Sequence, residues 1–218
     1  MQLKKLTDSE YFSIQRYSNS DLTELERQLF NPSFKLPESA YRFGSMVHQY
    51  VLDGKEPDNA TDLELNNLEG IAESLQDSKF WQRWNFGKKE TSVLWEQDGS
   101  ELKSKLDLIL SYKNSAVVCD LKTTCQKTEN GFLADVKRFN YYRQAAFYMD
   151  SVKAEKFEIW AVQKTFPFKV FTVAFQSNHQ EIEKARFQYK RLLTYAEKTN
   201  FIPERWKQTQ KYSSLSFV

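Results

Sequence analysis

The sequence predicts an α/β fold, a central mixed β-sheet flanked by helices. Three observations carry that reading. Apolar residues recur at helical spacing in the first third of the chain, as at Leu22, Leu25 and Leu29. Three β-rich runs then follow one another across turn residues, over 89–96, 102–111 and 116–122. A helical stretch, two more strand-like runs and a long amphipathic helix complete the chain. At 218 residues it reads as one domain. Its parts are a mostly helical 1–88, the sheet core 89–176 and a C-terminal helix and tail 177–218.

The elements follow in order. Ser18-Asn19-Ser20-Asp21-Leu22 opens the first helix, with Ser20 as its candidate N-cap, and Asn31-Pro32 stops it. Residues 37–52 form a second helix with Phe43, Met46, Val47, Tyr50 and Val51 on its apolar side, ended by Asp53-Gly54. A third covers 63–75. Gln97-Asp98-Gly99-Ser100 joins the first two strands as a hairpin, and Lys113-Asn114-Ser115 turns into the third. Residues 133–152 are mostly helical, 157–164 and 169–175 are strands around Pro167, and 180–198 is the amphipathic helix. That helix points Ile182, Ala185, Tyr189, Leu192, Leu193 and Ala196 inward.

Hydrophobic residues make up 40% and charged residues 28%, the balance of an ordinary globular protein. The net charge of +2 neither requires nor excludes a polyanionic partner, so any basic surface must be local. Cys119 and Cys125 provide no disulfide framework and no second cysteine pair for zinc, which points to the cytoplasm. Residues 1–8 have no signal-peptide core. No apolar run approaches the about 20 residues that span a bilayer, so no membrane association is expected.

Two acids stand out because each interrupts an apolar run: Asp107 in Lys105-Leu106-Asp107-Leu108-Ile109, and Asp120 in Val117-Val118-Cys119-Asp120-Leu121-Lys122. Burying an unpaired carboxylate is expensive, so such placement points away from a purely structural role. Asp120 and Lys122 share a face of their strand, about 7 Å apart at about 3.4 Å per residue. Asp107 can stand beside them if the second and third strands pair. Two carboxylates and a backbone carbonyl are the hard ligands that Mg²⁺ or Mn²⁺ prefers, and a divalent cation relieves their repulsion. Lys122 would then orient or deprotonate water, or offset charge at a phosphodiester. The competing reading places both acids at strand ends in water, with Lys122 as a surface partner. His48 sits mid-helix with Gly44 one turn before it, and matters only if that helix lies over the strand ends. Tyr141, Gln144 and Tyr148 form one helical stripe, either a boundary stripe or a polar and aromatic wall beside the metal. Arg138 and Arg143 are candidate phosphate contacts or solvated surface. Trp81, Trp84 and Trp95 read as core before base-stacking groups. Glu90 reads as solvent-exposed, with a place near a second metal as the other reading.

Taken together, Asp107, Asp120-x-Lys122 and Gln144-x-x-x-Tyr148, with His48 upstream, resemble the PD-(D/E)XK nuclease superfamily, its RecB-like branch and the RecE-type exonuclease domain of phages and prophages. The supporting strings are Tyr17-Ser18-Asn19-Ser20-Asp21-Leu22, similar to an S-x-S-x-L segment, and Arg42-Phe43-Gly44-Ser45-Met46-Val47-His48. They continue with Asp120-Leu121-Lys122-Thr123 and Gln144-Ala145-Ala146-Phe147-Tyr148. The resemblance covers about residues 10–176. It implies a restriction-endonuclease-like core, with His48, Asp107, Asp120 and the Leu121 carbonyl as metal ligands and Lys122 as the catalytic lysine. Gln144 and Tyr148 support them. It further implies Mg²⁺-dependent 5′-to-3′ digestion of duplex DNA ends, transfer of the 3′ strand to a single-strand annealing protein, and a homo-oligomeric ring. The chain departs from the pattern in having Leu106, not proline, before Asp107, and it lacks the four cysteines of iron–sulfur variants. Two other readings stay open: a non-catalytic nucleic-acid-binding or assembly protein on the same fold, and a structure-specific endonuclease of the same superfamily.

Overall fold

The computed structural model describes residues 1–30, 38–112 and 115–207. Before the main sheet run come β1 (Gln2–Lys4), α1 (Asp8–Ser13), α2 (Asn19–Phe30), α3 (Glu38–Val47), a π-helical turn (His48–Leu52), α4 (Asp62–Gln76) and α5 (Lys79–Trp84). Then follow β2 (Lys88–Gln97), β3 (Ser100–Tyr112), β4 (Ser115–Thr124), α6 (Glu129–Arg138), α7 (Tyr141–Val152), β5 (Lys156–Gln163), β6 (Val170–Gln176) and α8 (Gln180–Lys198).

The six strands form one mixed sheet in sequential order. β4 and β5 pair parallel, because α6 and α7 supply the crossover that a parallel pair needs. The other four neighbouring pairs are antiparallel. Asp98 and Gly99 turn the β2–β3 hairpin in left-handed backbone, φ 54° and 87°, which suits an Asp-Gly pair. That turn sets the register from Gln97↔Ser100 to Lys88↔Ile109.

Helices cover both faces. On one, α2, α6, α7 and α8 bring Leu22, Val136, Phe147 and Leu192 against Val93, Leu106, Val118 and Ile159. On the other, α3, α4 and α5 pack Val47, Leu68, Ile71 and Phe80 on Leu108, Cys119, Leu121 and Val162. Side chains of β4 alternate between the two cores, as the period of a strand requires. In β3 the alternation reverses at Asp107: Leu102 and Leu106 face the first core, Leu108 and Leu110 the second.

The expected α/β architecture holds, with local corrections. Ser18, not Ser20, caps α2: its N–H donates to Asp21 Oδ2 at 2.8 Å and its carbonyl accepts from Leu22 at 3.2 Å. Leu29 faces outward, 37% exposed. The helix read over 133–152 breaks at Asn140, which adopts φ 55°, a left-handed conformation that Asn tolerates. β1, α1 and α5 were not apparent, being too short to show a period. Lys103 secures α1 by donating to the carbonyls of Tyr11 at 2.8 Å and Ile14 at 2.7 Å. Burial lowers its ammonium to about 8. The expected helix stop at Asn31-Pro32, the helix start at Pro37 and the turn at Lys113-Asn114 lie outside the described residues. No described helix is long and apolar enough to cross a membrane.

Candidate active site

The site lies where the sheet forks. β3 and β4 pair from Tyr112↔Ser115 to Leu108↔Cys119. Past that point β3 stays with β2, and β4 stays with β5. The first residues beyond the shared ladder are Asp107 and Asp120. Asp107 fills the gap with its own carboxylate, whose Oδ2 accepts from the Leu121 N–H at 2.8 Å. A side chain thus satisfies a backbone donor that the ladder no longer serves.

α3 delivers His48 to this point. Its Nε2 lies 3.0 Å from the Leu121 carbonyl oxygen and its Nδ1 3.9 Å from Asp107 Oδ1. His48 is the first residue of the π-helical turn, a feature that often marks functional positions. Gly44, one turn earlier, faces β4, but a Cβ there would meet Thr123 Oγ1 at an ordinary 3.9 Å, so the seat of α3 does not depend on the glycine. The condition under which His48 gains weight, a helix lying over the strand ends, is met.

Asp120 is 2% exposed. Its Oδ1 accepts from Gln144 Nε2 at 3.0 Å. Its Oδ2 lies 2.5 Å from Lys122 Nζ as an ion pair, yet has no well-aligned hydrogen-bond donor. Burial alone would depress the Lys122 ammonium, but Asp120, Tyr141 and Asp107 outweigh it and hold it above the ordinary lysine value. The Tyr141 ring closes one side, its centroid 5.4 Å from Lys122 Nζ. Tyr148 lies next on the stripe. Burial, with Asp120 adding to it, raises its phenol well above the ordinary tyrosine value, while a Gln144 contact opposes that shift.

Glu90 joins the cluster and corrects the reading that exposed it to solvent. His48, Glu90 and Asp107 each place a ligand atom within 4.8 Å of the others. Glu90 Oε1 is buried without a hydrogen-bond partner, while Oε2 pairs with Lys105 at 3.1 Å. Burial first, then Asp107, raises its carboxyl above the usual range. Burial first, then Asp120, does the same to Asp107, with His48 opposing. Glu90 adopts φ 44°, unusual for a residue with a side chain and a form of strain that gathers at functional sites. The signal for it was the hairpin count. Glu90 lies seven residues before Gln97 and Asp107 seven after Ser100, so the Gln97↔Ser100 pair sets them opposite each other.

These groups fit a hard divalent cation. The His48 imidazole and carboxylate oxygens of Glu90 and Asp107 converge, and Glu90 Oε1 is buried with no hydrogen-bond partner; Asp120 stands outside this triad, its Oδ2 against Lys122. The 3.0 Å contact between His48 Nε2 and Leu121 O is a hydrogen bond in which the ring N–H donates, since a carbonyl only accepts.

Arg143 is a correction. It is 1% exposed and faces α2, donating to Asn19 Oδ1 at 3.1 Å, to Glu26 and to Thr23. Asn140 and Gln188 donate to the same Glu26 carboxylate, so this hub joins α2, α7 and α8 and offers nothing to a nucleic acid. Arg143→Met is expected to destabilise the chain by about 3–5 kcal/mol, because Glu26 loses its buried cation. Urea denaturation checks it, and divalent-ion binding at low temperature should persist. Arg138, by contrast, is exposed, its guanidinium 5.3 Å from the Phe139 ring centroid. Trp95 in the first core and Trp84 in the second are 5% and 3% exposed, and Trp81 packs partly buried against the second.

A mixed sheet that carries an acid within one strand and an Asp-x-Lys on the next, flanked by helices on both faces, is the PD-(D/E)XK nuclease fold. The chain belongs to the PDDEXK-like domain family of unknown function DUF3799, which matches residues 3–208. Among solved structures, the "Putative exonuclease" of Eubacterium rectale is similar in fold, with TM-score 0.65 and 18% identity over 87% of this chain and 86% of that one. A phage-related exonuclease of Haemophilus somnus 129PT gives TM-score 0.47 and 14% identity, covering 82% and 93%. The alkaline exonuclease of Laribacter hongkongensis gives 0.44 and 12%, covering 95% and 99%. No curated protein matches the chain.

Proposed function

We infer that this chain is a metal-dependent deoxyribonuclease, a RecE-type exonuclease that digests duplex ends 5′ to 3′ in recombination. The observation that carries the reading is the convergence at the sheet fork of Asp107, Asp120 and Lys122, with His48 arriving from α3 and Gln144 from α7. The fold shared with a protein named as an exonuclease supports it.

His48, Asp107, Asp120 and the Leu121 carbonyl, joined by Glu90, would hold Mg²⁺ or Mn²⁺, which when bound acidifies water and offsets charge at the phosphodiester. Gln144 grips Asp120 by Oδ1 and so directs Oδ2 toward Lys122. Lys122 acts as a fixed positive charge where negative charge develops on the scissile phosphate. Its raised value means that it is not a resting proton acceptor. Tyr148 keeps its proton at neutral pH beside Gln144. Tyr141 walls the site, and the exposed Arg138 is offered to the phosphate backbone. The same reading includes a ring of copies around the DNA and an annealing protein that receives the 3′ strand.

Incubating a 5′-labelled linear duplex and a covalently closed circle with Mg²⁺, and again with EDTA, tests this. Mg²⁺-dependent loss of the linear DNA alone is expected. Cutting of the circle would replace the reading with an endonuclease. DNA binding that survives EDTA, with neither substrate cut, would replace it with a non-catalytic binding protein.

A further inference from the structure

Beside the fork, on the outer edge of the sheet, lies a cleft of about 390 Å³ whose walls carry four lysines, Lys4, Lys5, Lys88 and Lys89. It exists because β1 is short. The β1–β2 ladder ends at Lys4↔Ser92, so the edge of β2 from Lys88 to Thr91 has no strand partner on that side. Gly87 and Thr91 complete the cleft, and Leu3 closes one end.

These lysines are exposed, and among the described residues none pairs with a carboxylate. The nearby acids are already taken: Lys105 holds Asp8 at 2.5 Å and Glu90 at 3.1 Å. Lys89 rests 5.1 Å from the Trp84 ring centroid, which steadies its position and leaves its charge unneutralised. Four unpaired cations gather here in a chain whose net charge is only +2. Lys89 and Thr91, which line the cleft, are the chain neighbours of Glu90 in the acid cluster.

We propose that this cleft binds the phosphodiester backbone of the nucleic acid and leads one strand along β2 to the fork. The assignment rests on the nuclease reading and adds to it the surface that holds the substrate. A backbone track needs uncompensated cations, an open groove and continuity with the site, and the cleft has all three. Contacts to phosphate alone give affinity without base preference and release counterions, so binding weakens steeply with salt.

Equilibrium binding of a short labelled duplex to the whole chain in EDTA, across a salt series, tests it. Lys5→Gln/Lys88→Gln is expected to make the slope of log K against log salt shallower by about 1.8, at about 0.9 per lost phosphate contact. The control Lys153→Gln/Lys198→Gln, with the same charge removed from exposed positions outside the cleft, should keep the wild-type slope. In Mg²⁺ the cleft variant should show a raised KM with kcat unchanged. A cleft variant with the wild-type slope, or equal changes in both variants, overturns the cleft and leaves the nuclease reading standing. Wild-type protein that binds no DNA overturns both.

Discussion

Lys122→Met is expected to slow DNA hydrolysis by about 10²–10³-fold at saturating Mg²⁺, the loss seen when one preorganised electrostatic contact to a transition state is removed. Methionine keeps most of the length and removes the charge. Lys122 is 20% exposed in its side chain and sits between Asp120 and the Tyr141 ring, so water cannot replace its cation in kind. The ligand groups His48, Asp107 and Glu90 lie on the π-helical turn, β3 and β2, so divalent-ion binding should survive. In metal-free buffer the variant should also lose stability, by about 3–5 kcal/mol if the buried Asp120 is left without a counter-charge, and Mg²⁺ should restore part of it. Because Lys122 is held above 10.5, its charge persists through the neutral range, and rate loss from its deprotonation belongs to strongly alkaline pH. Lys122→Arg keeps the charge but brings a planar fork to a site shaped for a compact ammonium, so partial activity is expected. Single-turnover rates on labelled linear duplex, alongside a Mn²⁺-binding titration, measure both effects. A wild-type rate in Lys122→Met would remove Lys122 from the chemistry.

What could be read before the structure followed from residues out of place in their surroundings. Asp107 and Asp120 were conspicuous because Leu106, Leu108, Cys119 and Leu121 around them are fully buried. The 180–198 helix emerged with its limits because its apolar positions repeat over five turns of unbroken pattern. The hairpin count sets Glu90 opposite Asp107, but a strand pattern alone does not show the φ 44° backbone at Glu90. Arg143 was misplaced by its neighbours: it adjoins Gln144 in sequence, but one step along a helix rotates a side chain by about 100°. Gln144 therefore meets Asp120 on β4 while Arg143 meets Glu26 on α2. The break at Asn140 was invisible for another reason. Apolar residues continue at helical spacing on both sides of it, and only Phe139 and the left-handed Asn140 separate α6 from α7. The fork itself is a property of pairing between distant segments, which no local pattern encodes.

Asp107→Asn is expected to abolish metal-dependent hydrolysis and yet to melt above wild type in metal-free buffer at neutral pH. Asp107 is 9% exposed. Its one backbone donor, the Leu121 N–H, can be accepted equally by an amide oxygen. The exchange therefore removes the buried charge and keeps the bond. In the wild type, burial, then Asp120, raises the Asp107 carboxyl above 3.8, and burial, then Asp107, raises Glu90 above 4.5. Folded-state values above unfolded ones mean that the folded chain binds more protons, so the stability these groups contribute is complete below about pH 4 and falls as pH rises through the raised values. Wild type should accordingly lose melting temperature in EDTA as pH rises above the ordinary carboxylate range, and Asp107→Asn should lose less. At a chain length near this one, about 1 kcal/mol corresponds to roughly 2–4 °C. Mg²⁺ reverses the order, since a ligand at 100 times its Kd adds about 2.7 kcal/mol to the form that binds it, and the variant lacks a central ligand. Melting curves of both chains in EDTA and in Mg²⁺ across that rise in pH should cross. If Asp107→Asn instead melts lower in both, Asp107 is a brace for the Leu121 backbone, and the metal reading of the fork loses its central ligand.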